Sequence, residues 1–168
     1  HIRQNHGFLY GEKYSVFDVM RLCGWPAEQV PQNVGGYKLD TETGSLPIFI
    51  KYEASQYGDR FLNPGEIEWF SKNNRSLKSN EFRWLLDGTE RTPEWQNRHF
   101  VPIFIRRKAE EQEKSYYFVG NAVALDDVRA SVNPGEDGSE SKVVISTLKL
   151  DKPVDPELYR HLTGKSAL

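Results

Sequence analysis

The chain has 168 residues and a mass of 19.4 kDa, and its residues are 38% hydrophobic, 27% charged and 12% aromatic. This length suits one domain with a single core, and the aromatic content excludes a disordered chain, because disordered segments are poor in such side chains. No run approaches the roughly 20 apolar residues that cross a bilayer, and a single cysteine, Cys23, excludes a disulfide scaffold. We therefore expect one domain over residues 1–168 of a larger cytoplasmic protein, since the chain begins at His1 rather than at a start codon.

The net charge of −2 is the average of an uneven distribution. Residues 59–108 contain ten Lys and Arg against seven Asp and Glu, whereas residues 109–168 contain seven against eleven, so the middle is +3 and the end is −4. A local excess of positive charge favours contact with an anion, although an ordinary solvated surface is the alternative. Charge alone therefore selects no partner.

Helix caps and alternating apolar residues predict the first elements. Ser15 is a suitable N-cap with Asp18 three residues later, so a helix begins there and ends before Gly24. Residues 34–40 and 46–53 alternate as strands do, and the short loop between them is typical of a hairpin. The first third is therefore predicted to contain one helix and one hairpin.

The middle of the chain combines a short strand with a short helix. Residues 55–79 are irregular and rich in polar and aromatic side chains, apart from a strand over 66–70. Ser79 predicts the start of a helix that Gly88 ends, and 89–97 has the composition of a surface loop.

The last third is predicted to be mainly strand. Two strands, 99–107 and 115–125, flank a charged turn, and a third strand covers 142–150. The segment 131–141 before that third strand has a flexible composition. Gly120 inside a strand predicts a bulge or a close approach of the backbone.

A final short helix begins at Asp155 and ends at Gly164. The whole pattern thus predicts at least five strands and about three short helices. The fold class is therefore α+β, mainly β, with the strands closed into a curved sheet or a β-barrel.

Most catalytic and cofactor motifs are missing from the sequence. It contains no glycine-rich phosphate loop, no GxSxG nucleophile elbow, and no histidine or cysteine spacing that suits a metal. Asp127 with Glu140 and Lys142 resembles the side chains of a metal-dependent nuclease, but such sets arise by chance in a chain with 27% charged residues. We therefore expect a binding domain rather than an enzyme, with no cofactor and no metal.

Aromatic and carboxylate side chains are interleaved with basic ones in the segment 52–75. A protein that reads a base outside the double helix needs flat aromatic faces for the ring, a carboxylate or amide for the Watson–Crick edge, and cations for the phosphates. An aspartate suits cytosine, because it accepts the hydrogen bond that the N4 amino group donates. The alternatives are a core position for Trp69 and a local ion pair between Asp59 and Arg60, and we place Phe70 in the core.

Several sequence blocks resemble one bacterial domain family. In chain order they are YSVFDVMRLCGW, QNVGGYKLD, LPIFIKYE, YGDRFLNP, EWFSKNNRSLKS and FVPIFIRRK with SYYFVGNAVAL. Over about residues 10–126 they are similar to the C-terminal domain of proteins that join a phospholipase-D-type nuclease to a DEAD/DEAH-type helicase, as in SauUSI-like type IV (modification-dependent) restriction enzymes. The resemblance implies a β-barrel akin to SRA or PUA-like readers. It also implies two kinds of partner: double-stranded DNA carrying 5-methylcytosine or 5-hydroxymethylcytosine, and the helicase and nuclease domains of the parent protein.

The resemblance and the side-chain chemistry together suggest the site residues. The residues predicted to contact a cytosine rotated out of the duplex are Tyr52, Tyr57, Asp59 and Trp69. The residues predicted to contact DNA phosphates are Arg60, Ser71, Lys72, Arg75, Lys78, Arg106 and Arg107. The alternative function is a protein-interaction module that docks a helicase or nuclease partner.

Overall fold

The computed structural model of the chain describes residues 6–53, 58–88, 92–110, 112–135 and 137–167. The strands within these residues are β1 (Lys13–Ser15), β2 (Ile48–Tyr52), β3 (Arg60–Asn63), β4 (Glu66–Phe70), β5 (Pro102–Arg107), β6 (Ser115–Pro134) and β7 (Glu140–Leu150). The helices are α1 (Val16–Leu22), α2 (Asn80–Leu85), α3 (Pro93–Arg98) and α4 (Pro156–Thr163), with a 3-10 turn at Pro31–Asn33. None of the described helices is long and apolar enough to cross a membrane.

The strands form one sheet in the order β2-β5-β6-β7-β4-β3, and β1 pairs with β6 beside this path. β2 and β5 are parallel, whereas the other strand pairs are antiparallel. The long strand β6 pairs first with β5 and then with β7, and the register shifts once against β5 and twice against β7. Because such bulges bend a sheet and increase its twist, the sheet curls as a half-barrel. The predicted class, a mainly β fold with a curved sheet, is confirmed.

Apolar side chains fill two cores, one on each face of the sheet. Along β5, Ile103 and Ile105 enter the larger core, whereas Phe104 enters the smaller one. Helices α2, α3 and α4 cover the larger core, and α1 covers the smaller one. Since both faces of the central strands are covered, polar groups for function are available mainly at strand ends and sheet edges.

The helices predicted from caps at Ser15 and Asp155 are confirmed, and the helix predicted from Ser79 is present as α2, although the Ser79 side chain forms no capping hydrogen bond and the helix ends at Leu85. The Ser15 hydroxyl accepts a hydrogen bond from the Asp18 amide (3.1 Å), and the Asp18 carboxylate accepts one from the Ser15 amide (3.3 Å). At the other end of the chain, Asp155 caps α4, and Gly164 ends that helix with a left-handed backbone (φ 74°). These local side-chain bonds satisfy amides that would otherwise lack partners.

The predicted strand over 34–40 is wrong, but the hairpin turn beside it is formed. Asp40 and Ser45 exchange backbone hydrogen bonds (2.8 and 3.1 Å) across the predicted loop, and Tyr37 bridges Ile48 in the same antiparallel register. The segment 34–40 follows the 3-10 turn, and only Tyr37 and Asp40 form isolated bridges. Gly35 has a φ of +62°, which an extended strand does not contain. Strand β2 pairs along its length in parallel with β5, a partner 55 residues away that local pattern does not reveal.

Two segments predicted as irregular are regular in the structure. Residues 93–98 form α3, because the Thr92 hydroxyl caps the Trp95 amide (3.3 Å) and Pro93 suits the first turn. The Trp95 ring is buried and donates to the Leu85 carbonyl (2.9 Å). Most of 131–141 is also ordered, since β6 runs to Pro134 and β7 begins at Glu140.

The predicted irregularity at Gly120 is confirmed. The register between β5 and β6 shifts beside this residue, and its φ is +139°. A Cβ atom at this position would lie 2.6 Å from the Asp151 carboxylate, so the space admits only glycine without rearrangement.

Candidate nucleic-acid interface

Asp59 lies directly before β3, beside the last residue of β4. Its carboxylate accepts a hydrogen bond of 2.7 Å from the Phe70 amide. Burial raises the pKa of Asp59 to about 6, although the amide donor acts in the opposite direction. Near neutral pH the side chain is therefore mainly an anion held in a fixed orientation, which suits an acceptor for an amino group.

The alternation of β4 assigns Trp69 and Phe70 to opposite faces. Trp69 is 1% exposed and packs between Tyr37 and Phe82, at ring-centroid distances of 5.2 Å and 5.8 Å. Phe70 is partly exposed on the other face. The prediction of Trp69 as a pocket wall and the core assignment of Phe70 are both wrong, because neither face of the buried indole is accessible to a base.

A signal for this arrangement is present in the sequence. In β4, Trp69 is in phase with the apolar Ile67, whereas Phe70 is in phase with Glu66 and Glu68. Because side chains of a strand alternate between faces, Ile67 predicts the core face and the two glutamates predict the solvent face. Phe70 is therefore an aromatic side chain on a charged face, beside Asp59.

Of the two tyrosines predicted to contact the base, the structure describes only Tyr52. Tyr52 is largely buried in the larger core, and its hydroxyl accepts a hydrogen bond from the Phe61 amide (3.4 Å). What remains of its surface faces a cleft at the ends of β2 and β5. Tyr57 lies outside the described residues.

A second group of predicted residues lines one open cleft of about 770 Å³, which we call the Lys72 cleft. Its charged and aromatic lining comprises Tyr37, Lys38, Lys72, Arg75, Lys78, Glu81 and Trp84. Four of these side chains are cations and one is an acid, so the concave surface carries a positive excess. A concave surface of one charge concentrates counter-ions more effectively than a flat one.

Glu81, the acid of the Lys72 cleft, connects two other lining residues by hydrogen bonds. Glu81 is buried and accepts hydrogen bonds from the Tyr37 hydroxyl (2.6 Å) and from Arg75 Nε (2.8 Å). Burial by itself would raise the pKa of Glu81, but these two donors hold it below its ordinary value. Glu81 thus orients the Arg75 guanidinium at the edge of the cleft.

Lys72 is a partly buried cation of this cleft. Its Nζ donates to the Val34 carbonyl (3.1 Å) and lies 4.8 Å from the centre of the Tyr37 ring. Burial lowers the pKa of Lys72, and the nearby charge of Arg75 lowers it further. The ammonium is therefore only partly solvated, which leaves it strongly attracted to an incoming anion.

Four of the charged and aromatic residues of the cleft were not predicted from the sequence: Tyr37, Lys38, Glu81 and Trp84. Lys38 joins from a segment more than 30 residues earlier and donates to Gln29 (3.1 Å). Trp84, in α2, forms part of the wall and has its ring centroid 4.5 Å from that of His99. No local signal marks Lys38, because only the packing of the loop against β4 brings it to the cleft.

Ser71 and Arg106 are buried, so their assignment to DNA phosphates is wrong. The Ser71 hydroxyl accepts from the Val144 amide (2.8 Å) and donates to the Lys72 carbonyl (2.8 Å). The Arg106 guanidinium donates to the Glu110 carbonyl (2.9 Å) and lies 5.3 Å from the Tyr116 ring. Both side chains serve the structure of the chain itself.

Arg60 and Arg107 are partly exposed and pair with acids. Arg60 lies 3.3 Å from Glu68, so the alternative ion pair with Asp59 is not formed. Arg107 lies 3.6 Å from Glu110 and lines the cleft that Tyr52 borders, away from the Lys72 cleft. The predicted cations are therefore distributed over at least two surfaces.

The residues of the nuclease alternative do not converge. Glu140 pairs with Pro134 near the tip of the β6–β7 hairpin, whereas Asp127 lies next to the rung of Asp126 and Thr147. At about 3.3 Å per residue, this separates the two carboxylates by roughly 20 Å. Asp127 also forms an ion pair with Arg129 (3.2 Å), and no three metal-ligating side chains cluster in the described parts of the chain.

The chain is similar to known proteins in sequence pattern and in fold. A family model described as "Domain of unknown function (DUF3427)" matches residues 8–162. No curated protein matches the chain.

Two solved structures have the same fold at low sequence identity. The type IV phosphorothioation-dependent restriction endonuclease ScoMcrA matches with a TM-score of 0.54 and 13% identity, over 95% of this chain but 30% of its own. The SUVH5 SRA domain, solved with hemimethylated CG DNA, matches with a TM-score of 0.51 and 14% identity, over 89% of this chain and 92% of its own.

A further structure contains the sulfur binding domain and SRA domain of ScoMcrA with phosphorothioated DNA. It matches with a TM-score of 0.49 and 15% identity, and this chain spans 44% of its length. The SRA-like fold predicted from the resemblance is confirmed by the SUVH5 domain. Because its family model covers residues 8–162, the chain belongs to the DUF3427 family.

Proposed function

We propose that this domain binds DNA that carries a modified base and reads the base after it has rotated out of the duplex. The observation that carries the proposal is the Asp59 carboxylate, which the Phe70 amide orients beside a partly exposed aromatic ring. The Lys72 cleft begins two residues farther along the chain and supplies cations for the backbone. One fold neighbour supports this class of ligand, since the SUVH5 SRA domain is solved with hemimethylated CG DNA.

The base we propose is cytosine. A carboxylate has more than two acceptor positions, so Asp59 can retain the Phe70 amide and also accept from the N4 amino group. The ring of Phe70 provides a face for stacking, a role that the sequence had assigned to Trp69, and Tyr57 remains the candidate for the opposite wall. Rotating the base out costs a few kcal/mol, which phosphate contacts and stacking offset.

The modification we propose is a 5-methyl or 5-hydroxymethyl group. One buried methyl contributes about 0.8 kcal/mol, which corresponds to roughly a fourfold preference over plain cytosine. A larger preference requires that the pocket exclude water or that plain cytosine leave a cavity. We therefore expect modest discrimination by the isolated domain.

We further infer that the domain directs the other domains of a type IV restriction enzyme and performs no chemistry itself. The resemblance to the nuclease–helicase fusion proteins supports this role, and so does the fold that the chain shares with ScoMcrA. The parent protein would then supply the helicase and the nuclease, and this domain would select the DNA site at which they act.

The test is a titration of the chain against duplexes that differ at one position. They carry cytosine, 5-methylcytosine or 5-hydroxymethylcytosine, and a fourth carries a phosphorothioate link beside plain cytosine, all at one salt concentration. Tighter binding to a 5-modified duplex is expected. Equal binding to the first three excludes these marks, and preference for the fourth alone would move recognition to the backbone. Binding to a helicase or nuclease chain without DNA binding would favour the interaction module.

A further inference from the structure

We infer that a second cleft, bordered by Tyr52, whose hydroxyl bonds the backbone two residues after Asp59, binds a phosphate of the same DNA strand. This inference rests on the proposed function, because it requires DNA to be the ligand. The second cleft, called here the Arg160 cleft, has a volume of about 710 Å³. The side chains that define it are Tyr52, Glu53, Arg107, Lys108, Arg160 and His161.

The position of the Arg160 cleft follows from two backbone amides near Asp59. The Phe61 amide donates to the hydroxyl of Tyr52, which borders the Arg160 cleft. The Phe70 amide donates to Asp59, and two residues later Lys72 enters its own cleft. The segment that presents Asp59 is therefore in contact with the border of one cleft and close in sequence to the other.

The geometry of an extruded nucleotide requires two such surfaces. A nucleotide is joined to the strand by one phosphodiester on its 5′ side and one on its 3′ side, and the two lead away from the base in different directions. A reader that holds the base beside Asp59 therefore meets phosphates on both flanks. The Lys72 cleft serves only one of them.

The charges of the Arg160 cleft leave one cation for a ligand. Lys108 pairs with Glu53 (3.4 Å), while Arg107 and His161 share Glu110 at 3.6 Å and 2.9 Å. Arg160 is exposed and forms no ion pair with another residue in the described ranges. Its guanidinium is the side chain we assign to the phosphate, since arginine matches the paired oxygens of that group.

Helix α4, which carries Arg160, is anchored in the larger core by its neighbouring residues. The neighbouring Tyr159 is buried against Phe61, with ring centroids 5.2 Å apart, and Leu162 is buried in the same core. These contacts fix the backbone from which the exposed Arg160 side chain extends. Such restriction lowers the entropy lost when a ligand is bound.

The experiment measures binding of a duplex as a function of salt for the whole 168-residue chain. Arg160→Gln is expected to reduce the slope of log affinity against log salt by about one, the loss of a single phosphate contact, and to weaken binding to modified and unmodified duplexes by the same factor. The matched control is Arg21→Gln, which removes an exposed arginine from the last turn of α1, outside both clefts.

The outcomes separate this inference from the proposed function. An unchanged slope in Arg160→Gln, or an equal change in Arg21→Gln, overturns the Arg160 cleft while the preference of the wild type for modified DNA still stands. A wild type without such preference overturns the proposed function, and the slopes still decide whether the Arg160 cleft binds phosphate. Retention of the wild-type melting temperature by each variant excludes unfolding as the cause.

Discussion

The Asp59 carboxylate lies 2.7 Å from the Phe70 amide, and this hydrogen bond joins the residue before β3 to the last residue of β4. It brings a carboxylate with a raised pKa and a partly exposed aromatic ring to the same edge of the sheet. The backbone of β4 therefore positions the group that we propose to read the base.

Replacement of this carboxylate tests its role as acceptor. In Asp59→Asn the single amide oxygen would accept from Phe70, which leaves an NH₂ group facing the N4 amino group of cytosine. Loss of a hydrogen bond to a charged group costs about 1.5–3 kcal/mol, so affinity for the modified duplex should fall roughly tenfold or more towards that of non-specific binding, and the modest preference for it should vanish. Affinities for matched duplexes measure this, with the exposed Asp127→Asn as control. An unchanged preference would remove Asp59 from the site.

The raised pKa of Asp59 makes stability depend on pH in a defined direction. The folded state has a pKa of about 6 and the unfolded state about 3.8, so the folded state binds the additional proton between these values. Stability therefore rises as pH falls through about 6 and reaches its full gain below about 3.8. The melting temperature of the wild type minus that of Asp59→Asn should increase from pH 7 to pH 4. A constant difference would contradict the buried environment.

The same titration predicts weaker binding in acid. Protonated Asp59 cannot accept from an amino group with the strength of the anion, so preference for the modified duplex should decrease below about pH 6. Binding ratios at pH 5 and pH 7.5 measure the effect. Asp59→Asn should show little change in ratio over this range, which separates Asp59 from other titrating groups.

Trp69 and Phe70 should respond differently to truncation. Trp69→Ala removes a side chain that is 1% exposed and should cost about 3–5 kcal/mol of stability. Phe70→Ala removes a partly exposed ring, so it should leave the fold intact and abolish preference for modified DNA. Urea unfolding and duplex titration distinguish the two effects. Loss of preference in a stably folded Trp69→Ala protein, with Phe70→Ala unaffected, would reverse the assignment.

The Lys72 cleft should contribute affinity without specificity. Lys72→Gln together with Lys78→Gln should weaken binding to every duplex and lower the salt slope by about two, because each phosphate contact contributes about 0.9. Arg75 is left in place, since its loss would leave the buried Glu81 with one donor fewer. A change in preference, rather than in slope, would indicate that this cleft holds the base.

The sequence by itself predicted those features that depend on neighbours along the chain. The caps at Ser15 and Asp155, the turn at Gly164, the irregularity at Gly120 and the mainly β composition are all decided within a few residues. Asp59 could be selected as a candidate for the same reason, because it stands among aromatic and basic residues in an irregular segment. The sequence also indicated that Trp69 faces the core and Phe70 the solvent, because they alternate in step with Ile67 and with the glutamates of β4, respectively.

Only the tertiary structure decided which polar side chains are buried or hydrogen-bonded within the protein and so are unavailable to a ligand. Ser71 bonds the backbone of Val144, 73 residues away, Arg106 is buried and bonds the Glu110 carbonyl, and Lys38 reaches its cleft from a loop predicted as a strand. The parallel pairing of β2 with β5 is equally non-local. Hydrogen bonding and burial depend on contacts between residues far apart in the chain, whereas caps and alternation depend on adjacent ones. The chemistry of single residues can therefore be read from the sequence, but their availability to a ligand is set by packing.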